Sequence, residues 1–246
     1  LEMKGIQVRQ LLEEALCAAG QVNELGTPDY IFEGIMASPT EFSYRNKMEF
    51  SFGDEYKGGP LTLGLHKKGS TYDILSAGDC KIVHKDFCTV LNCVQEYFRE
   101  NPVSVYRKMQ HMGYLRHLLV RRSESSGGLL VALVTTSQEQ PELDMLTDRL
   151  LKLSLEGHLS GILHIINDSP ADVVQSDYTE LLYGREDFYE ELLGLRFRIT
   201  PFSFFQTNTR GAELLYETAR EFIGDTRDKV IYDLYSGTGT IAQVLA

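Results

Sequence analysis

The chain has 246 residues, of which 43% are hydrophobic and 24% charged, and its formal net charge is -11. This length and composition suit one large or two small globular domains and exclude a disordered or fibrous chain. The sequence has no apolar run of about 18 residues and no basic-then-apolar leader, so we expect neither a membrane span nor a secretory signal. We therefore expect a cytoplasmic protein.

The first predicted element is an amphipathic helix over 6–19, whose apolar residues recur at helical spacing. The pattern changes to period two over 44–52, which places Arg45 and Lys47 together on one face of a strand. Apolar residues and Asn46 occupy the opposite face. Two further strands, over 61–66 and 71–76, then predict an antiparallel meander.

The second half of the pattern alternates helices and strands. Helices are predicted over 86–100, with Asp86 as the cap, 141–155 and 207–223, and strands over 115–122, 129–136, 161–167, 180–183 and 195–200. The middle of the chain is therefore an α+β domain with an antiparallel sheet.

The last residues predict the start of a different unit. Val230–Tyr235 is apolar on both faces, as a central parallel strand is, and Gly237 and Gly239 permit a tight turn before a helix. The pattern, with Asp233 on the strand, is typical of the first motif of S-adenosylmethionine methyltransferases. A dinucleotide fold and a plain strand-turn-helix remain alternatives. One parallel strand cannot form a doubly wound sheet, so we expect an incomplete Rossmann-like α/β domain.

Charge is distributed unevenly along the chain. From Glu41 to Arg122 there are 13 Lys and Arg against 9 Asp and Glu, although the whole chain is acidic. Such asymmetry indicates a binding face for a polyanion, and a chance clustering of solvated charges is the alternative.

Five separated stretches occur in the order seen in one enzyme family. They are Tyr44-Arg-Asn-Lys-Met-Glu-Phe50, Gly64-Leu-His-Lys-Lys68, Leu115-Arg-His-Leu-Leu-Val-Arg121, Pro201-Phe-Ser-Phe-Phe-Gln-Thr-Asn208 and Asp233-Leu-Tyr-Ser-Gly-Thr-Gly239. Over nearly its whole length the chain resembles the RNA uracil-C5 methyltransferases, which act on ribosomal and transfer RNA with S-adenosylmethionine as cofactor.

The resemblance implies a domain plan and a cofactor site. Residues 1–28 would form a helix packing on the catalytic domain, 29–200 the central RNA-binding domain, and 201–246 a truncated methyltransferase domain. The implied cofactor contacts are Gln206, Tyr235 and Thr240, with Gly237 and Gly239 as a backbone cradle. For Gln206, a cap of the helix starting near Thr207 is the alternative.

In the family, a cysteine thiolate adds to uracil C6, the activated C5 takes the methyl group, and a glutamate removes the C5 proton. The nucleophilic cysteine and the base lie downstream of the glycine turn, so the resemblance implies a fragment without activity of its own. A non-catalytic RNA-binding module and a different Rossmann nucleotide-dependent enzyme are the alternative functions.

The cysteines show no Cys-x-x-Cys pairing and predict reduced thiols; they are Cys17, Cys80, Cys88 and Cys93. By the resemblance, Cys80 matches one ligand of the iron-sulfur cluster that many members carry. One cysteine holds no cluster, so a cluster is expected only in a full-length protein. An ordinary core thiol is the alternative for Cys80.

RNA is the expected partner, with 23S ribosomal RNA as the first candidate substrate. The candidate RNA contacts are Arg45, Lys47, Lys67, Lys68, Arg116, Arg121 and Arg122. A flipped base would lie near Phe204 and Gln206. His117 either contacts RNA or makes one structural hydrogen bond. An unfinished sheet would also expose an edge for self-association.

Overall fold

The computed structural model describes residues 1–70, 73–171 and 176–245. The chain forms two compact units, Leu1–Pro39 and the residues from Thr40 onward. The predicted boundary between residues 200 and 201 lies inside the second unit, and the separate roles assigned to 29–200 and 201–246 stay predictions.

The first unit contains one helix, α1 (Glu2–Ala18). Within this unit the Arg9 guanidinium lies 5.1 Å from the centroid of the Phe32 ring. The Tyr30 hydroxyl donates to Glu13 Oε1 at 3.4 Å. None of the α1 residues is buried, so the predicted apolar face is exposed.

The second unit is built on a large mixed sheet. Its strands are β1 (Lys47–Asp54), β2 (Leu61–His66), β3 (Ile74–Ser76), β4 (Leu115–Arg122), β5 (Gly128–Thr135), β6 (His158–Ile166) and β7 (Tyr178–Gly184). The seven strands run in the order β3-β2-β1-β4-β5-β6-β7. The remaining elements are α2 (Lys85–Glu100), α3 (Asp144–Leu151), the hairpin β8 (Phe188–Leu192) and β9 (Leu195–Ile199), α4 (Thr209–Ile223) and α5 (Thr240–Leu245).

The prediction of a purely antiparallel sheet is wrong at one pair. β5 and β6 are parallel, whereas the other neighbouring strands of this sheet are antiparallel. The parallel pair requires a crossover, and α3 lies in that connection. β4 and β5 occupy the middle of the sheet, which agrees with their apolar residues on both faces.

Two hydrophobic clusters cover the two faces of the sheet. The first cluster joins one face to α2 and α3, and it includes Phe50, Leu118 and Leu146. The second cluster joins the opposite face to β8, β9, α4 and α5, and it includes Leu119 and Phe205. Adjacent residues of β4 thus point to opposite clusters, as the pleat of a strand requires.

The predicted face of β1 is confirmed for Met48, Phe50 and Phe52, which are buried, whereas Glu49 on the other face is exposed. Asn46 was predicted on the same face and is also buried, but its amide bonds to Thr209 of α4, the helix that packs in the second cluster. Met48, Phe50 and Phe52 belong to the first cluster. The period-two pattern therefore fixed which side chains of this strand enter the core.

The predicted terminal strand is not formed. Residues 230–235 pair with no strand in the part of the chain that the structure describes. Val230, Tyr232 and Leu234 are 78, 81 and 76% exposed. An apolar segment becomes a buried strand only where a neighbouring strand takes its backbone hydrogen bonds.

Asp86 does not cap α2. The cap is His84, whose Nδ1 accepts from the Asp86 main-chain N–H at 3.2 Å. The Asp86 carboxylate is 1% exposed and accepts from the main-chain N–H groups of Glu156 and Gly157 at 2.9 and 3.0 Å. Asp86 thereby holds the start of α2 to the residues before β6.

Candidate functional site

The segment before α4 is fixed to the central sheet by Asn46. The Asn46 amide donates to the main-chain oxygen of Gln206 and to Thr209 Oγ1, each at 2.9 Å. The Asn46 main-chain N–H donates to the Thr207 oxygen at 2.8 Å. These bonds position Gln206 at the entry to the helix.

Arg121, from the neighbouring strand β4, holds the other end of the same segment. Its Nη1 donates to the main-chain oxygens of Thr200, Pro201 and Ser203 at 2.5, 3.1 and 2.8 Å. Burial lowers the pKa of Arg121 to about 10. Because the side chain is 2% exposed, this guanidinium holds residues 200–203 in place and is not accessible to RNA.

Gln206 is not a helix cap, contrary to one interpretation of the sequence. The cap of α4 is Asn208, whose Oδ1 accepts from the Gly211 main-chain N–H at 2.8 Å. Burial raises the pKa of Tyr216 in α4; the Gln206 side chain opposes that rise, and the Asp233 carboxylate adds to it.

The glycine turn lies next to this group. Gly237 and Gly239 have φ values of 54° and 70°, the left-handed region that favours glycine. Asp233 Oδ2 accepts from the Ala242 main-chain N–H at 3.1 Å, which ties the start of the turn to α5. A β-carbon at Gly237 would meet nothing closer than Phe204 Cδ1, at 3.9 Å. The turn thus leaves its backbone open to a ligand.

Two further predicted cofactor contacts differ in exposure. Thr240 is 7% exposed, and its Oγ1 forms a hydrogen bond with Thr238 Oγ1 at 2.8 Å. The Tyr235 side chain is fully exposed. Phe204, at 67% exposure, presents an aromatic ring to solvent beside the turn. The structure therefore brings Phe204, in the segment before α4, next to Gly237 of the turn. Tyr216 and Asp233, which were not among the predicted contacts, act on the same neighbourhood.

The predicted RNA contacts fall into buried and surface groups. Arg116 is 3% exposed and donates to the main-chain oxygens of Asn167, Ser169 and Ala171 at 2.7, 2.6 and 2.8 Å. Arg116 and Arg121 thus serve internal carbonyls, which corrects the expectation that they belong to an exposed basic face. Their strand has apolar residues on both faces as well, which was the only local signal that it lies inside the sheet.

The other candidate cations lie nearer the surface. Lys67 and Lys68 are exposed in the β2–β3 connection. Arg45 Nε donates to the Lys47 main-chain oxygen at 3.0 Å, and Lys47 Nζ pairs with Glu49 Oε1 at 2.8 Å. Arg122 lies near two carboxylates, Asp86 Oδ2 at 3.7 Å from its Nε and Glu124 Oε2 at 3.6 Å from its Nη1.

His117 has the surroundings of a structural histidine. Its ring is 8% exposed, and Nδ1 lies 3.3 Å from Ser51 Oγ on the neighbouring strand β1. This favours the structural interpretation over RNA contact.

Three of the cysteines belong to the first cluster or pack against it, namely Cys80, Cys88 and Cys93, and Cys17 is exposed in the first unit. Within the described ranges, no group of three or more His, Cys, Asp or Glu side chains is arranged to hold a metal ion. A cluster-ligand role for Cys80 therefore gains no support here. Across the same described residues, none of the helices has both the length and the apolar character needed to cross a membrane.

Comparisons with known proteins agree on the class. No protein-family model matches the chain. An uncharacterized RNA methyltransferase of Clostridium tetani is 48% identical over 246 residues, which are 100% of this chain and 52% of the relative. One of Clostridium acetobutylicum is 50% identical over 211 residues, 86% of this chain and 46% of the relative. The chain spans about half the length of the curated relatives it matches.

A solved structure has a similar fold. It is the Pyrococcus abyssi tRNA (uracil-54, C5)-methyltransferase in complex with S-adenosyl-L-homocysteine, with a TM-score of 0.68 and 25% identity. The match covers 85% of this chain and 48% of that one. Over nearly its whole length the chain is therefore similar to proteins named RNA methyltransferases, and its fold is similar to that of one solved member.

Proposed function

We propose that the chain is part of an S-adenosylmethionine-dependent RNA uracil-C5 methyltransferase and supplies one wall of its cofactor site. The observation that carries this proposal is that the segment ending at Gln206 lies beside the glycine turn. A β-carbon at Gly237 would meet Phe204 Cδ1 at 3.9 Å, and Tyr216 of α4 and Val244 of α5 share the second cluster. The Pyrococcus relative in the solved structure binds S-adenosyl-L-homocysteine, which supports the same cofactor type here.

The residues present fit such a cofactor. The Gln206 amide and Thr240 hydroxyl supply polar groups, and Gly237 and Gly239 allow close approach to the backbone. Tyr235 adds an exposed aromatic ring. When bound, the cofactor supplies an electrophilic methyl group on its sulfonium. The protein residues named here bind and orient it.

The RNA surface consists of the cations near solvent. We assign phosphate contacts to Arg45, Lys47, Lys67, Lys68 and Arg122. We assign stacking on a flipped uracil to Phe204, whose ring is exposed beside the turn. Ribosomal RNA, with 23S first, and transfer RNA are the substrate classes to compare.

The 246 residues alone are proposed to lack the methyl-transfer reaction. Val244 of α5, next to the glycine turn, packs in the second cluster, whereas Cys80, Cys88 and Cys93 belong to the first cluster or pack against it, on the other face of the sheet. Burial also raises the pKa values of the Cys88 and Cys93 thiols, which disfavours the nucleophilic thiolate. We therefore assign none of these cysteines as the nucleophile, and expect this chain to form no covalent adduct with 5-fluorouridine RNA.

A non-catalytic RNA-binding role for these residues is favoured by one observation. Residues 230–235 are exposed and unpaired in the described chain, so the turn lacks the sheet that supports it in a Rossmann-like fold. Cofactor binding by this chain is therefore expected to be weak, with a Kd of about 1 mM or above.

Titration of 15N-labelled protein with S-adenosyl-L-homocysteine tests the cofactor site at these concentrations. We expect chemical-shift changes of the Gly237 and Gly239 amides on titration. The Kd obtained from them should be about two- to tenfold higher in Gln206→Ala, because one polar contact is lost. Gln140→Ala, at an exposed position, is the matched control. An unchanged Kd in Gln206→Ala, or the absence of chemical-shift changes in the wild-type protein, would favour the RNA-binding role alone.

A further inference from the structure

A second concave site lies at the far end of β1 from the cofactor turn. It is a cleft of about 700 Å³, lined by residues of the β1–β2 turn and of the segment after α2, including Tyr56, Lys57, Tyr106, Arg107, Lys108 and Gln110. β1 starts beside Asn46 and reaches the cleft at Asp54. At about 3.3 Å per residue, the strand separates the two places by roughly 25 Å.

Tyr106 is held as a rigid aromatic surface in this cleft. The Arg116 guanidinium carbon lies 4.4 Å from the Tyr106 ring centroid, and Arg116 is itself fixed by three main-chain oxygens. The Tyr106 hydroxyl lies 3.2 Å from His111 Nδ1. A ring supported in this way loses little freedom when a planar group stacks on it.

Arg107 is fixed beside Tyr106. Its Nη2 donates to both Asp54 carboxylate oxygens, at 3.1 and 2.8 Å, and its side chain keeps 47% exposure. The carboxylate orients the guanidinium at the mouth of the cleft. Lys57 and Lys108 line the same cleft from opposite segments.

The charge of the cleft differs from that of the chain. Three cations line it, namely Lys57, Arg107 and Lys108, against the carboxylates of Asp54 and Asp73, and Lys67 and Lys68 follow the lining residue His66 in the chain. The protein as a whole has a net charge of -11. A local excess of cations therefore selects a polyanion, and an aromatic surface among those cations is the combination that binds unpaired nucleotides.

We propose that this cleft binds a single-stranded segment of the RNA substrate, with one base stacked on Tyr106 and the flanking phosphates on Lys57, Arg107 and Lys108. This rests on the proposed function, which makes RNA the substrate. The site would hold the RNA remotely from the modified base, and so would determine which RNA is presented rather than the chemistry.

Fluorescence anisotropy with a labelled 12-nucleotide oligouridine at 100 mM KCl tests the proposal. We expect the double variant Lys57→Glu, Lys108→Glu to bind about tenfold more weakly, since two phosphate contacts become repulsive. The matched control, Lys4→Glu with Lys152→Glu, makes the same charge change at exposed positions elsewhere and should stay within about twofold of wild type.

The stacking contact is tested separately. Tyr106→Leu should weaken oligouridine binding at least about fivefold, whereas Tyr106→Phe keeps the ring and should retain wild-type affinity. Urea unfolding of both variants shows whether they are folded. A folded Tyr106→Leu protein with unchanged affinity would overturn the stacking assignment.

Three other outcomes would also overturn the cleft proposal. Equal losses in the two double variants would indicate a general charge effect. Competition by polyglutamate as effective as that by unlabelled oligouridine would indicate a polyanion surface without base contact. Absence of RNA binding by the wild-type chain would overturn the proposal that the cleft binds RNA. The amide shifts with S-adenosyl-L-homocysteine would still test the cofactor site independently.

Discussion

Two apolar segments of the chain have opposite fates. Every residue of β5 (Gly128–Thr135) is buried, whereas the equally apolar residues 230–235 are largely exposed. β5 pairs with β4 on one side and β6 on the other, and helices and the β8–β9 hairpin cover its faces. Residues 230–235 have no such neighbours among the described strands.

The difference shows what an apolar run specifies. Hydrophobicity favours removal from water, but a strand also needs partners for its N–H and C=O groups. β5 receives both from its own unit. The terminal segment keeps its glycine turn and the hydrogen bond between Asp233 and Ala242, because both form between residues close in the chain. It has no strand pairing among the described residues, because pairing needs a strand from elsewhere in the chain.

The largest expected effect comes from making the same Leu→Ala substitution in each of the two segments and comparing the free energies of unfolding. Leu133 of β5 is 3% exposed and Leu234 is 76% exposed. Leu133→Ala should lower the free energy of unfolding by about 2–5 kcal/mol, because it leaves a cavity. Leu234→Ala should change it by less than about 0.5 kcal/mol. Urea denaturation of both variants measures this, and similar losses would mean that the terminal segment is packed in solution.

A smaller effect is expected at Asn46, which joins the start of β1 to the segment before α4. Asn46→Ala removes two side-chain hydrogen bonds from a residue that is 8% exposed, and should cost about 1–3 kcal/mol of unfolding free energy. Hydrogen exchange should also accelerate most at Gln206 and Thr207. Asn92→Ala, at an exposed position, is the control. Faster exchange spread evenly over the sheet would contradict the assigned link.

A third effect, seen only at alkaline pH, concerns the buried hydroxyl of Tyr114, directly before β4. Burial raises the pKa of Tyr114 to about 12, above its usual value of 10. The folded protein therefore keeps a phenolic proton that the unfolded chain releases, so stability present below pH 10 is lost as the pH rises to about 12. Tyr114→Phe should remove this alkaline loss, which amounts to about 3 kcal/mol for two pKa units. Identical pH dependences of unfolding in wild type and variant would contradict the burial of this hydroxyl.

Periodicity predicted much of the second unit. The faces of β1, the β4–β5 hairpin and the presence of α2 and α4 follow from patterns within a few residues. β8 was not predicted, because Glu190 lies on the same inward face as Phe188 and Leu192. Its carboxylate accepts from the main-chain N–H groups of Glu124 and Ser125 at 2.7 and 3.0 Å. Because the hydrogen-bond donors to this carboxylate lie far away in the chain, the sequence around Glu190 gives no sign that the side chain is buried.

The candidate site was also only partly predictable. Gln206 and the glycines were found by motif, and the structure adds Tyr216 and Asn46 as their neighbours. Arg121 carries a charge that sequence assigns to the surface, yet its strand places it where three carbonyl groups converge. Charge alone does not tell an RNA contact from a structural donor.

The sequence by itself indicated the resemblance to RNA methyltransferases, most local elements and the glycine turn, because motifs and hydrophobic period act over short separations. Only the tertiary structure decided which cations remain at the surface, that β5 and β6 run parallel, and that residues 230–235 pair with no strand among the described residues. Those outcomes depend on partners far apart in the chain, and a strand or a buried charge is stable only when such partners satisfy it.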